Sequence, residues 1–92
     1  MGVVVYYTSV SGSTEIRKHQ NSILQHLDSK NIQYKLVDIS TSSDLREEMR
    51  EKAGNPKALP PQIFNGDLYC GDYSKFFDAV ELENVEDFLK LK

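Results

Sequence analysis

Chemistry in this chain would have to come from Cys70, from His19 and His26, or from the hydroxyl run Ser11-Gly12-Ser13-Thr14. A single cysteine excludes an internal disulfide and a four-thiolate metal site, and two separated histidines do not complete a zinc set. No metal is expected. The hydroxyls have no adjacent histidine to accept a proton, so Ser11, Ser13 and Thr14 read as turn and helix-capping residues rather than nucleophiles. Cys70 stands between Asp67 and Asp72 near a predicted helix start. Helix amides would lower its pKa and the two carboxylates would raise it, which leaves the sign open at this level. An unpaired cysteine is most often a small buried hydrophobe.

The composition bounds what those groups can serve. Ninety-two residues, 39% hydrophobic and 27% charged, make one domain able to bury roughly 60–65% of its unfolded surface. The net charge is -3 and the Lys and Arg residues are scattered among acids, so a phosphate backbone would meet no continuous basic face; no nucleic acid partner is expected. The longest apolar run, Val3 to Tyr7, is far too short to span a bilayer, and no charged n-region precedes an h-region. The reading is a soluble protein of the cytoplasm, with the nucleus also open to it, and no membrane partner. Met1-Gly2 invites N-myristoylation, but Tyr6 sits where Ser or Thr is wanted.

The elements that must position these groups follow from periodicity. Val3-Val4-Val5-Tyr6-Tyr7 predicts a short strand buried on both faces. Ile16, Ile23, Leu24 and Leu27 recur at helical spacing after a polar turn, giving a first helix that ends near Ser29. Ile32, Tyr34 and Leu36 alternate and run into Val37 and Ile39, a second strand parallel to the first because a helix joins them. Ser42, Ser43 and Asp44 offer caps for a helix carrying Leu45, Met49 and Ala53, stopped by Gly54 and Asn55-Pro56. Ile63-Phe64 and Leu68-Tyr69 flank Asn65-Gly66, which predicts a hairpin with a type I′ turn. Asp72 caps a third helix bearing Phe76, Phe77 and Val80, and Asn84 caps a last one with Val85, Phe88, Leu89 and Leu91.

The order β-α-β-α-β-β-α-α is that of the glutaredoxin branch of the thioredoxin fold, an α/β class with a four-stranded mixed sheet flanked by helices. In detail the chain resembles the SH3-domain-binding glutamic-acid-rich-like family. The motifs that carry this include Thr8-Ser9-Val10, Leu36-Val37-Asp38-Ile39-Ser40, Ala53-Gly54-Asn55-Pro56-Lys57, Pro60-Pro61-Gln62-Ile63, Asn65-Gly66-Asp67 and Tyr69-Cys70-Gly71-Asp72-Tyr73. The likeness is closest to the short form of that family, without the acidic C-terminal extension behind its name. The family resembles glutaredoxins that have lost their thiols, and its short form is regarded as a modulator of redox or cytoskeletal partners.

The resemblance implies a site. Ungapped matching puts Ser11 and Thr14 at the two positions of a lost Cys-x-x-Cys pair. Pro60-Pro61 matches the cis-proline loop opposite them: spacing back from Asn65-Gly66 selects Pro60, while the Pro-Gln pair of related sequences selects Pro61. A groove lined by Thr8, Ser9, Val10, Leu59, Pro60, Pro61, Gly71 and Asp72 would hold a partner peptide without exchanging disulfides. Cys70 matches the first glycine of a Gly-Gly pair on the glutathione-binding surface, and Thr8 replaces a lysine of that surface, so glutathione affinity should be weak and no resident cofactor is expected. Pro56 and Pro60 are four apart, no Pro-x-x-Pro is present, and a cis bond would interrupt the extended helix an SH3 ligand needs.

The leading expectation is therefore a non-catalytic binding or adaptor protein. The alternative is a glutathione-linked oxidoreductase acting through Cys70 alone. A more distant one is flavin or other anion binding, because Tyr7 to Glu15 also resembles the phosphate loop of flavodoxins, with hydroxyls and amides at Ser11 to Thr14. A flavodoxin sheet needs about five parallel strands, which a chain of this length with a late hairpin does not supply.

Overall fold

A computed structural model describes residues 2–91; Met1, on which the myristoylation reading rested, and Lys92 lie outside the described residues. Strand β1 (Val3–Tyr7) leads into α1 (Thr14–Ser29), then β2 (Tyr34–Asp38), a single 3-10 turn (Ile39–Thr41) and α2 (Ser43–Ala53). The hairpin β3 (Gln62–Asn65) and β4 (Leu68–Asp72) follows, then α3 (Tyr73–Glu81) and a one-turn α4 (Val85–Phe88). The sheet order is β2-β1-β3-β4, with β1 parallel to β2 and antiparallel to β3. This is the mixed sheet and element order that the sequence predicts.

The β-branched run of β1 is interior because strands pair with it on both sides, and its side chains alternate between two cores. Val3 and Val5 join Ile23 and Leu27 of α1, Ile63, Phe76 of α3 and Leu89 on one face. Tyr6 joins Ile39, Met49 of α2, Ala58 and Phe64 on the other. The starts of α1, α2 and α3 are capped by side chains that the sequence offers: Ser13 accepts from the Ile16 amide, Ser42 from Asp44 and Asp72 from Lys75. Gly54 ends α2 in the left-handed region at φ 69°.

Several local expectations are corrected. Asn65 pairs with Leu68 across the hairpin, so the turn residues are Gly66 and Asp67 rather than Asn65 and Gly66. Gly66 has φ 58° and Asp67 is not among the positive-φ residues, the sign pattern of a II′ rather than a I′ turn. Asn65 is instead buried, and its amide donates to the carbonyls of Leu89 and Lys90, tying the C-terminal turn to the sheet. Asn84 precedes α4 but makes no side-chain cap bond. Leu91 lies beyond that helix and is exposed, as is Phe77 on α3. Ile39 leaves β2 for the 3-10 turn, where it is buried.

Three positions, Gly71, His26 and Asp38, generate predictions. Gly71 sits at φ 150°, and a Cβ there would lie 2.9 Å from Lys75 Cβ and 3.0 Å from a ring carbon of Phe88. Gly71→Ala is expected to destabilise by about 2–4 kcal/mol through strain and overpacking together, read as a lowered urea midpoint with unchanged slope. The second prediction concerns acid. Burial, reinforced by Lys30, holds His26 below its ordinary 6.5, and its Nε2 is buried without a partner. Its neighbours in the adjoining depression include the acids Glu83, Glu86 and Asp87 as well as Lys30. Asp38 is held at about 2 rather than 3.8, chiefly by the Ser9 hydroxyl and then by Ser40, against the opposing effect of burial. Both folded pKa values are depressed, so both groups favour the unfolded state on protonation. Stability should fall in two steps, one below pH 6.5 that His26→Gln removes, and one between about pH 4 and 2 that Asp38→Asn removes. Urea midpoints measured across pH check both.

Candidate functional site

The polar segment after β1 begins where strand pairing stops. The Thr8 N–H donates to Gln20 Oε1 at 2.9 Å, and Gln20 Nε2 donates back to the Thr8 carbonyl at 3.1 Å. Gln20 is buried on the inward face of α1, at helical spacing from Ile16 and Ile23, and its primary amide replaces a neighbouring strand for one residue. The Thr8 hydroxyl accepts from the Val10 amide, and Val10 is left 78% exposed. Ser11 Oγ accepts from the Ser13 amide at 3.1 Å, and Ser13 then caps α1. Ser11 thus lies in the loop two residues before the cap, while Thr14 is the first helical residue and is exposed. A thiol at Ser11 would stand ahead of the helix start rather than on it, which departs from the dithiol arrangement that the ungapped match implies.

Opposite this segment runs the loop from Asn55 to Pro61. Asn55 Oδ1 accepts from the Lys57 amide at 2.9 Å, Arg50 Nε donates to the Ala58 carbonyl at 3.1 Å, and Gln62 Nε2 donates to the Leu59 carbonyl at 2.7 Å. Gln62 is buried, and its Oε1 accepts from the Tyr69 hydroxyl at 2.6 Å, so the loop is tethered through β3 to β4. The cis bond is Pro60-Pro61, which makes Pro61 the cis residue of the two candidates. Pro61 is buried, Pro60 half-buried, and Leu59 projects with 60% of its surface exposed.

Two clefts flank this loop, and Ile16, Leu59 and Pro60 belong to both. One, of about 380 Å³, runs toward α3: Pro61, Asp72 and Tyr73 line it together with Glu15, His19 and Lys57. The His19 ring stacks on Tyr73 with centroids 3.9 Å apart and planes 6° apart, and its Nε2 lies 3.8 Å from Glu15 Oε1. The other, of about 570 Å³, runs toward α2 and is lined by Thr8, Val10, Ser11, Ser13, Ser40, Arg46 and Arg50, among others. Six of the expected groove residues, Thr8, Val10, Leu59, Pro60, Pro61 and Asp72, are therefore gathered around one loop.

Ser9 and Gly71 are not. Ser9 turns to the end of β2, where its hydroxyl donates to Asp38 Oδ2 at 2.6 Å and meets Ser40 Oγ at 3.1 Å. It anchors the loop from below. Gly71 is buried behind the groove against Lys75 and Phe88, where its lack of a side chain serves packing. Cys70 also departs from its expected setting, since it lies within β4 and not at the start of α3. It is half-buried against the α1/α3 core, and its Sγ is 4.0 Å from the Leu68 carbonyl. Burial raises the thiol pKa above its ordinary value, with Lys90 and the Asn65 backbone offsetting in part. Among the described residues no cluster of His, Cys, Asp and Glu could hold a metal ion, and no helix is long and apolar enough to cross a membrane.

Gln20, Gln62, Arg46 and Arg50 escape a reading based on chemistry-bearing motifs. Gln20 leaves a trace, as a polar residue at a position where the helical period calls for an apolar one. Gln62 leaves none, because only the loop's path shows what its amide reaches.

The architecture has close counterparts among solved structures. C. albicans actin interacting protein Aip5 superposes with TM-score 0.79 at 19% identity, covering 99% of this chain and 90% of that one. Glutaredoxin C1 from Populus tremula x tremuloides gives TM-score 0.72 at 21% identity over 97% of this chain and 83% of that one. E. coli glutaredoxin gives 0.62 at 26% identity over 90% and 96%. The fold is thioredoxin-like, of the glutaredoxin kind. The family model for SH3-binding, glutamic acid-rich protein matches residues 1–92, and with a match over its whole length the chain belongs to that family.

Proposed function

We propose that this protein is a non-catalytic, glutaredoxin-like adaptor that holds a protein partner in the groove around Leu59, Pro60 and Pro61. The observation that carries this is a substrate-side loop held by three side-chain hydrogen bonds, from Arg50, Asn55 and Gln62, beside a thiol position occupied by serine. A loop that served only to close the fold would not need Val10 and Leu59 projecting into water on either side of a cleft. Serine and threonine hydroxyls carry no sulfur to exchange with a disulfide, and the Ser11 and Ser13 hydroxyls are committed to the turn and the helix cap.

Cytoskeletal or redox proteins are the partner class we favour. The solved relative Aip5 is described as actin interacting, and this is the analogy that supports a cytoskeletal partner here. The family's description refers to SH3 domains, yet in this chain Pro61 and Gln62 are buried and the proline spacing gives no Pro-x-x-Pro. The proline loop is therefore read as a wall of the groove rather than as an SH3 ligand.

Two experiments test the reading. Titration of isotope-labelled protein with monomeric actin should perturb the amide signals of Thr8, Val10, Leu59 and Asp72 first. Leu59→Glu, a change at an exposed site that should leave stability intact, should weaken the complex roughly tenfold or more. Perturbation confined to the opposite face would reject the groove, and an unchanged spectrum would reject actin as the partner. The catalytic alternative needs a Cys70 thiolate at neutral pH. Iodoacetamide alkylation of Cys70 should instead stay slow at pH 7 and climb only above ~8.5, with Cys70→Ser unreactive throughout. Rapid alkylation near neutrality would restore the single-thiol oxidoreductase.

A further inference from the structure

The two clefts beside the proline loop differ in charge. The one toward α3 mixes Glu15 and Asp72 with Lys57 and His19, and so favours neither sign. In the one toward α2, the charged lining residues are Arg46 and Arg50 alone. They stand one turn apart on α2 and therefore on one face. None of the acids of that helix lines this cleft: Glu48 accepts from the Tyr6 hydroxyl at 2.9 Å, and Glu47 and Glu51 line an adjoining depression, with Gly54 and Pro56, that Arg50 also borders. Neither arginine is ion-paired among the described residues, and Arg50 commits only its Nε, to the Ala58 carbonyl. A chain with net charge -3 thus carries a cleft whose charged lining residues are both cationic.

That cleft also has an apolar rim. Val10 and Leu59, 78% and 60% exposed, flank it with Ile16, Ile39 and Pro60. A free inorganic anion would satisfy the guanidinium groups but leave the rim in water. Nucleic acid would need more basic surface than two arginines provide. A peptide can supply both contacts at once, because alternate residues of an extended chain point to opposite sides of its backbone.

Resting on the groove reading above, we propose that the α2-side cleft selects an acidic, extended segment of the partner protein, one whose Glu or Asp carboxylate meets Arg46 and Arg50 while a neighbouring aliphatic side chain covers Val10 and Leu59. Arginine suits this role because its planar fork can take a carboxylate through two parallel hydrogen bonds. Arg50 is pre-positioned by its bond to the proline loop, so carboxylate recognition and loop geometry are linked through one side chain.

The test uses the full chain and three short blocked peptides in which leucine alternates with glutamate, glutamine or lysine, with inorganic phosphate as the anion control. The glutamate peptide should bind saturably, shift the signals of Val10, Ser40, Arg46 and Leu59, and bind roughly tenfold tighter than the glutamine peptide at low salt. Arg46→Glu, an exposed change on a helix surface, should abolish that preference and reverse it toward the lysine peptide. Equal affinity for the glutamate and glutamine peptides overturns the proposal, as does absence of saturable binding. Phosphate producing the same shifts at the same concentration also overturns it, since the site would then be one for anions and not for peptides. If all three peptides bind equally and Leu59→Glu still removes them, the groove stands and the charge selection falls. Shifts confined to the opposite face with actin and with every peptide reject both.

Discussion

Thr8 is where β1 stops being a strand, because a side chain and not a neighbouring backbone takes its hydrogen bonds. Gln20 reaches from the buried face of α1 and pairs with both the N–H and the carbonyl of Thr8. That pairing satisfies two partly buried backbone groups that would be costly to leave unpaired, and it frees the next residues from the sheet. The segment from Ser9 to Ser13 can then turn across the top of β1. Ser9 fixes it to Asp38 at the end of β2, and Ser13 delivers it into α1 as the cap. The exposed Val10 and the position of Ser11 both follow from this one two-way amide bond.

The opposing wall is built by the same device on the other side of β1. Gln62 begins β3, the antiparallel neighbour of β1, and its amide holds the Leu59 carbonyl while its oxygen takes the Tyr69 hydroxyl. Two buried glutamines at the same end of the sheet therefore set the segments that face each other across the groove. Both side chains are buried, where a hydrogen bond of this kind is worth more than at the surface.

The surroundings of Cys70 differ from those of the thiol in an oxidoreductase of this fold. An oxidoreductase of this fold places its thiol where amides and cations favour the thiolate. Here the one thiol lies in β4, half-buried against aliphatic and aromatic side chains, where desolvation favours the neutral form. Positive charge is instead gathered at Arg46 and Arg50, beside serine hydroxyls that take part in turns. Ser11 and Ser13 are spent on the turn and the helix cap that shape the backbone there.

The sequence by itself determined the order of elements, the parallel first pair of strands, the cap at Asp72 and the short runs that hold the caps at Ser13 and Ser42, and the family. These are set locally, by hydrophobic period, by side chains that bond amides two or three residues away, and by motifs spread along the whole chain. The hairpin was legible, but its turn was misplaced by one residue, because Asn65 is drawn into the strand by the Leu89 and Lys90 carbonyls from the far end of the chain. Only the tertiary structure decided that Ser9 faces Asp38 rather than the groove, that Gly71 is a packing position, and that burial settles the sign for Cys70. The same holds for the meeting of Arg46 and Arg50 with Val10 and Leu59, which lie far apart in sequence. Burial, distance and charge environment are sums over residues remote along the chain, and a local pattern carries no record of them until the sheet and its helices bring those residues together.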